Sequence, residues 1–427
     1  MNSETSHGAT GTTGPTGPTG SAGAIGAGEA PAAAPRRLPA TAECSSEATA
    51  ARLARLRLDG YAVDHLAGSA PDLDPARLAG SIEGHIGYAR VPIGVAGPLK
   101  VQGVQAKGDF FVPFATSEGT LVASFQHAFN AMNRSGGART AVTDERVGRA
   151  PCFEFADLPT AAAFVGEVHR LRAQLEEAVR STSRFCRLRE VHPAVIGNTV
   201  YVMLEFATGD AAGQNMVTAG AQAVCECLLA NAAQKPLTWL VESALSGDKR
   251  ATAMAFRGAR GRNASAEIVL SPKVLRGYWR ADPSAMVRCW QQAVAGMAQS
   301  GATGLQGNAA NAVAALFIAC GQDVACVCEA STALTRVDLT REGDVYLSVT
   351  LPNLIVGTVG GGTYLPTAQE CLAMLGCRGT GNAAKFAEII AAVVLAGELS
   401  IVGAMAGGAF AGAHASGGRK ALGTAAV

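Results

Sequence analysis

Four ionisable side chains stand in stretches otherwise built of small or apolar residues: Glu118, Lys249, Asp323 and His414. Glu118 lies in "PFATSEGTLVASFQHAFNAM", Lys249 in "SALSGDKRATAMAF", Asp323 closes "FIACGQD", and His414 sits in "AFAGAHASGG". Each has a structural reading. Glu118 is a partner for a helix dipole, Lys249 and Asp323 a buried ion pair, His414 a satisfied polar residue. Taken singly, those readings are the better ones. In one cleft, two acids, an ammonium and an imidazole would shift one another's proton affinity and could deliver protons to a reacting group. Spacing along the chain cannot show that they meet.

The elements that must position them follow from periodicity. Leu121, Val122, Phe125, Phe129 and Met132 recur at three- and four-residue spacing and predict a helix, with Thr116 or Ser117 as its cap and Gly136 and Gly137 as its stop. That places Glu118 in the first turn. "SSEATAARLARLRL" reads as a capped helix with Leu53, Leu56 and Leu58 apolar, and "GHIGYARVPIGVAGPLKVQG" as short extended pieces and turns. "TVYVMLEF" is a strand, followed by the turn "ATGDAAGQN" and a helical run. Free N–H groups at such a helix start can cradle a phosphate, although the turn is not G-x-G-x-x-G. Arg184, Arg187 and Arg189 just upstream suit a phosphate or form a solvated basic face. Residues 289–322 carry no charged side chain and predict two buried helices. "DVYLSVTLPNLIVGTVGGGT" predicts strands and a glycine-rich loop. The Ala/Gly-rich stretch after residue 386 predicts an internal helix, since it carries Glu398.

Composition excludes other classes. The chain has 427 residues, is 48% hydrophobic and 16% charged, and has a net charge of +1, so nucleic acid and an acidic membrane are poor partners. Aromatics at 5% leave no base-stacking platform. The 11 cysteines include the C-x-C pairs Cys225/Cys227 and Cys326/Cys328 without zinc spacing, so no metal is implied and reduced, cytosolic thiols are expected. Residues 1–42 are rich in Gly, Ala and Pro and are expected to be a disordered tail; their Gly period is too short and Pro-poor for a collagen helix. No signal-peptide order is visible in residues 1–24.

Longer motifs carry a family resemblance. "IGYARVPIGVAGPL", "PFATSEGTLVAS", "STSRFCRL", "GDAAGQNM", "GDKRATA", "NAANAVAALFIACGQD", "LPNLIVGTVGGGT" and "AGELSIVGAMA" occur in one order. Over roughly residues 43–420 the chain resembles the catalytic part of 3-hydroxy-3-methylglutaryl-CoA reductases, in their class I form. The resemblance implies an α+β fold. It would have a helical N-terminal segment (43–80), a large α/β domain around a central helix (81–150 and 242–427), and a small inserted ferredoxin-like nucleotide-binding domain (151–241). It implies reduction of a thioester to an alcohol with two NADPH, a soluble homo-oligomer (dimer or tetramer), and an active site between subunits. Lys249 would stabilise the oxyanion, Glu118 would protonate it at the aldehyde step, Asp323 would lie between them, and His414 would protonate the CoA thiolate.

By motif, Arg149, Asp248, Arg250 and Asn311 match substrate-contacting positions. Ser183, Arg184 and Asn215 match NADPH contacts, with Asp210 and Gly213 in the same turn and Gly360 and Gly361 in a second nucleotide-side loop. Arg184 would suit a 2′-phosphate. The chain also departs from the pattern: Glu242 and Ala244 stand where a substrate-contacting Ser and an Asn are usual, Arg250 replaces Lys, Gly84 replaces Asn, and Asn308 replaces His. A reductase of another acyl-CoA, or a catalytically weak regulatory paralogue binding CoA or nucleotide, are the rival readings.

Overall fold

The computed structural model describes residues 37–39, 43–258 and 260–408; the Gly-rich tail and His414 lie outside them. Helix and sheet are mixed, as an α+β fold requires, and one branched ten-stranded sheet runs through the structure. Helix α1 (Ser46–Leu58) starts at Ser45, whose hydroxyl accepts the Ala48 N–H. Leu56 is buried and Leu53 partly covered, but Leu58 is 81% exposed because the helix ends there. The carboxylate of Glu370 accepts the N–H groups of His65 and Leu66 at 2.9 Å and so ties this segment to the body. Residues 82–92 form no helix or strand, and Ile86 is fully exposed.

Strands β1 (Ile93–Gly103) and β2 (Lys107–Ala115) form an antiparallel hairpin. Helix α2 (Leu121–Arg134) buries Leu121, Phe125, Phe129 and Met132, the periodic face, with Val122 partly covered. Its start differs from expectation. Thr120 has φ 68°, a left-handed conformation that no helix can pass through, so the helix begins at Leu121. The hydroxyl of Thr116 is not a cap; it accepts the Glu118 N–H within the preceding turn. Glu118 therefore rides on a connector outside the first turn of α2. Gly136 and Gly137, both at positive φ, follow the helix and lead into β3 (Ala138–Arg149).

Next, β4 (Cys152–Glu154), α3 (Leu158–Arg170), α4 (Arg172–Thr182), β5 (Arg187–Ile196), β6 (Thr199–Ala207), α5 (Gln214–Asn231) and β7 (Thr238–Leu240) follow in chain order. Their strands pair antiparallel in the order β7–β4–β6–β5, which is the split βαββαβ pattern. Strands β3 and β4 line the same edge of β6 in succession, so this unit grows directly from the main sheet. Strand β8 (Arg260–Leu270) continues that sheet beside β3.

Helices α6 (Pro272–Trp279), α7 (Pro283–Ser300), α8 (Ala309–Ala319) and the short α9 (Val327–Ala330) precede β9 (Leu334–Leu339) and β10 (Val345–Leu354), which complete the order β3–β8–β10–β9. Only α8 of the two helices expected to be buried is so. In α7, Met286 and Trp290 are buried and the opposite face is open. The region 344–363 yields one strand and a loop rather than several strands. Helix α10 (Pro366–Met374) leads to α11 (Ala383–Ala406), which packs on β3, β8 and β10 and against α2, α7 and α8. It is long and apolar enough to cross a bilayer, but protein covers it, and Glu388 and Glu398 on it have no exposure.

Candidate active site

The segment from Glu242 to Thr252 crosses the end of the sheet without regular structure, and three of its residues take positive φ: Ala244 at 67°, Gly247 at 73° and Lys249 at 54°. Left-handed alanine and lysine cost of order 1 kcal/mol each and persist only where surroundings dictate them. The surroundings are a chain of alternating charges. The Arg149 Nη1 lies 2.9 Å from Asp248 and 3.3 Å from Glu242. The fully buried Arg260 lies 2.9 Å from Asp248 and 3.5 Å from the buried Glu329. Arg260 also donates to the Gly148 carbonyl and to the Gln214 side chain, at the start of α5. Burial, set against the nearby Arg260 and backbone N–H groups, leaves the Glu329 carboxyl above its ordinary range.

This buried scaffold presents Lys249 outward. Its Nζ meets the Asp323 carboxylate at 3.0 Å, and both side chains keep access to solvent. Asp323 follows α8 and caps the short turn 324–326 by accepting the Ala325 N–H. The hydrogen bond that Lys249 donates to Asp323 raises the Lys249 pKa, so the amine stays a cation. Burial pushes the Asp323 carboxyl up, but Lys249 and the Ala325 N–H outweigh it and hold it below its usual value. A permanent cation in a half-open position is what a developing oxyanion requires.

Two glycine-containing loops meet beside the Asp323 end of this pair. Gly213, at φ +79°, ends the turn before α5, and a Cβ there would meet Thr208 at 2.4 Å. The loop after β10 pairs with that turn through Ala211 and Val359. Its Gly362 lies so close to Gly321 that a Cβ would come within 2.6 Å of the Gly321 carbonyl oxygen. The Gly357 N–H donates to the side chain of Gln322, next to Asp323. The nucleotide-side turn, the glycine loop and Asp323 therefore form one seam. Gly360 and Gly361, at positive φ with open space beside them, face outward from it. Strand register sets Arg187 opposite Ala207, bringing Ser183 and Arg184 to the same sheet end as the 208–215 turn. Arg184 is exposed, stacks over Phe185 at 4.8 Å, and makes no ion pair with a described residue. Arg189, in contrast, is paired with Asp144 at 3.2 Å.

Of the residues singled out in the sequence, Lys249, Asp323, Asp248, Arg149 and Arg250 come together; Arg250 donates to the Asp248 carbonyl. Asn215 is exposed on the first turn of α5. Three others stand apart from that cluster. The Asp210 carboxylate accepts the N–H groups of Gly381 and Ala383, at 2.7 and 3.1 Å, and caps α11. Asn311 lies in the first turn of α8, and Asp323 lies beyond the other end of that helix. Glu118 is exposed, and its carboxylate bonds neither Lys249 nor Asp323 nor any other described residue, so Asp323 does not lie between acid and amine within one chain. His414 falls outside the described residues. Arg260 and Glu329 were not anticipated. Arg260 stands in a strand pattern, "RGRNASAEIVL", where a charge inside the alternation was the available signal.

Comparison with known proteins gives the family of the chain. The family model of hydroxymethylglutaryl-coenzyme A reductase matches residues 48–419. The 3-hydroxy-3-methylglutaryl-coenzyme A reductase of Pyrococcus abyssi is 39% identical over 356 residues, covering 80% of this chain and 86% of that protein. That of Aeropyrum pernix is 40% identical over 386 residues, covering 87% and 89%. A solved class II reductase of Streptococcus pneumoniae, bound to NADPH in open conformations, superposes with a TM-score of 0.69 over 86% of this chain and 99% of that one; at 18% identity this is a likeness of fold. An outward lysine paired with an aspartate beside glycine loops, in a chain matched along most of its length, makes this protein a member of the hydroxymethylglutaryl-coenzyme A reductase family.

Proposed function

We propose that the chain carries out the reaction of its family, the NADPH-dependent four-electron reduction of 3-hydroxy-3-methylglutaryl-CoA to mevalonate and CoA. The observation that carries this reading is the Lys249–Asp323 contact of 3.0 Å, set against the seam of loops. NADPH supplies two hydrides in succession. Arg184, an exposed guanidinium without a carboxylate partner among the described residues, and the free N–H groups at the start of α5 suit its phosphates. Ser183, Asn215, Gly213, Gly360 and Gly361 are assigned to the nucleotide by their motifs.

Lys249 stabilises the oxygen that becomes an alkoxide when the thioester carbon receives hydride. The thiohemiacetal collapses to an aldehyde and a CoA thiolate, and His414 is assigned the proton for that thiolate by its motif. On the second reduction Glu118 delivers the proton that completes the alcohol. Arg149, Asp248, Arg250 and Asn311 are assigned to the acyl group. A second copy of the chain is proposed to complete the site. The exposure of Glu118 and the bare segment around Ile86 support it.

Following NADPH absorbance with 3-hydroxy-3-methylglutaryl-CoA tests the reading; two NADPH consumed per mevalonate is the expected stoichiometry. Oxidation only with another thioester would replace the substrate, and none with any thioester would leave a binding protein.

A further inference from the structure

Arg149 is 6% exposed, and its guanidinium is already occupied. Nη1 contacts Asp248 and Glu242 at 2.9 and 3.3 Å, and Nη2 reaches the Gln214 carbonyl at 3.5 Å. The Glu242 carboxylate is held by more than this one cation. It accepts the Ala150 N–H at 3.2 Å, the Ala244 N–H at 2.7 Å, and the Ser246 hydroxyl at 3.1 Å to each oxygen. A guanidinium, two backbone N–H groups and a hydroxyl converging on both carboxylate oxygens make a receptor for a carboxylate. It is built beside Asp248 and Lys249, where an acyl group would lie, and a side chain of the chain itself fills it. Ala244 adopts φ 67° in presenting its N–H to Glu242, so the loop is bent to hold this arrangement.

We propose that Glu242 is a specificity-determining residue: its carboxylate occupies the acyl pocket's carboxylate receptor and weakens capture of acyl groups that end in a free carboxylate. The inference deepens the proposed function and rests on its placing of the acyl group. An incoming carboxylate must either displace Glu242 or bind beside two carboxylates that share one guanidinium. Both routes cost affinity through like-charge repulsion. Among the guanidinium groups of this cluster, Arg250 alone has no carboxylate partner within the described residues. The ion pair between Glu242 and Arg149 thus sets how strongly the enzyme prefers a dicarboxylic acyl group over one capped as an ester.

The test uses the full chain and the variants Glu242→Gln and Glu242→Ser. Calorimetric titration with free 3-hydroxy-3-methylglutarate and with its dimethyl ester reads binding without requiring turnover. In both variants the Kd for the dicarboxylate falls at least fivefold, while that for the ester stays within twofold. KM for 3-hydroxy-3-methylglutaryl-CoA falls in parallel, with KM for NADPH unchanged. A merely structural Glu242 gives the opposite sign, a weaker and slower enzyme. An unchanged or raised Kd, equal shifts for acid and ester, no binding to any form, or loss of folding in both variants overturns the assignment. If NADPH is not consumed yet the Kd pattern holds, the reductase reading fails and the receptor stands.

Discussion

Glu398 and Glu118 are both carboxylates set in apolar, small-residue sequence, and the fold treats them oppositely. Glu398, on α11, has no exposure and accepts the N–H groups of Gly307 and Asn308 and the Thr335 hydroxyl, which caps the start of α8. Glu388 on the same helix accepts from Gln105, Ala106 and Thr140. Glu118 and Asp323 stand at the surface of the single chain, and of the two only Asp323 has a charged partner among the described residues. A buried carboxylate surrounded by donors is fully employed as a joint. An accessible one with spare acceptor capacity is free to meet a substrate. Partner count and access, rather than sequence setting, separate the two roles.

Substitution can break or sharpen this contrast. Lys249→Ala should have the largest effect, lowering kcat by about 10²–10³-fold, as removal of one charge-stabilising donor does. Its exposed pair contributes little to stability, so Tm should move by no more than about 2 °C. A large fall in Tm would make Lys249 a joint like Glu398. Next, Glu398→Ala should leave three donors unmet and destabilise by about 3 kcal/mol or more in urea titration. A smaller loss would mean that water replaces the carboxylate. Gly213→Ala forces a left-handed alanine against Thr208 and should cost about 1–3 kcal/mol while raising KM for NADPH more than KM for the thioester. Equal changes in the two constants would detach the turn from the nucleotide.

The smallest expected effect is on pH dependence, and its signs differ between the regions. Burial, partly offset by the N–H groups of Gly307 and Asn308, holds Glu398 above its ordinary value, and burial likewise raises Glu329. In that window the folded chain binds more protons than the unfolded one. Their contribution is therefore fully present below the unfolded carboxyl value and falls as pH rises through the folded one. Asp323 is depressed, so its contribution is present above the ordinary carboxyl value and is lost only as pH falls through its lowered one. Urea midpoints at pH 5 and pH 8 should show a smaller decline in Glu329→Gln than in the unaltered chain. Asp323→Asn should leave that decline unchanged.

The sequence made the helices legible where periodicity was strong. The face of α2 came from spacing alone, the strand β6 from its β-branched and aromatic content, and the internal placement of α11 from Glu398 and the many small residues around it. It did not reveal where α2 begins, because a left-handed Thr120 is a tertiary decision that propensity does not encode. Lys249 and Asp323 were visible as charges in small-residue stretches, but their meeting depends on loops with no period at all. Arg260 and Glu329 escaped notice because a strand and a single helical turn hid charges that pair only across the fold. The capping role of Asp210 was hidden for a related reason: its backbone partners, Gly381 and Ala383, lie more than 170 positions onward.

That capping aspartate carries a lesson for anyone redesigning the coenzyme preference of this scaffold. The turn 208–213 invites randomisation, since it is short and rich in small residues. Yet one member of it is the fastener for the longest rod in the molecule, so libraries should spare position 210 and vary its neighbours. Variants that alter it would be discarded for poor expression before their selectivity was ever measured.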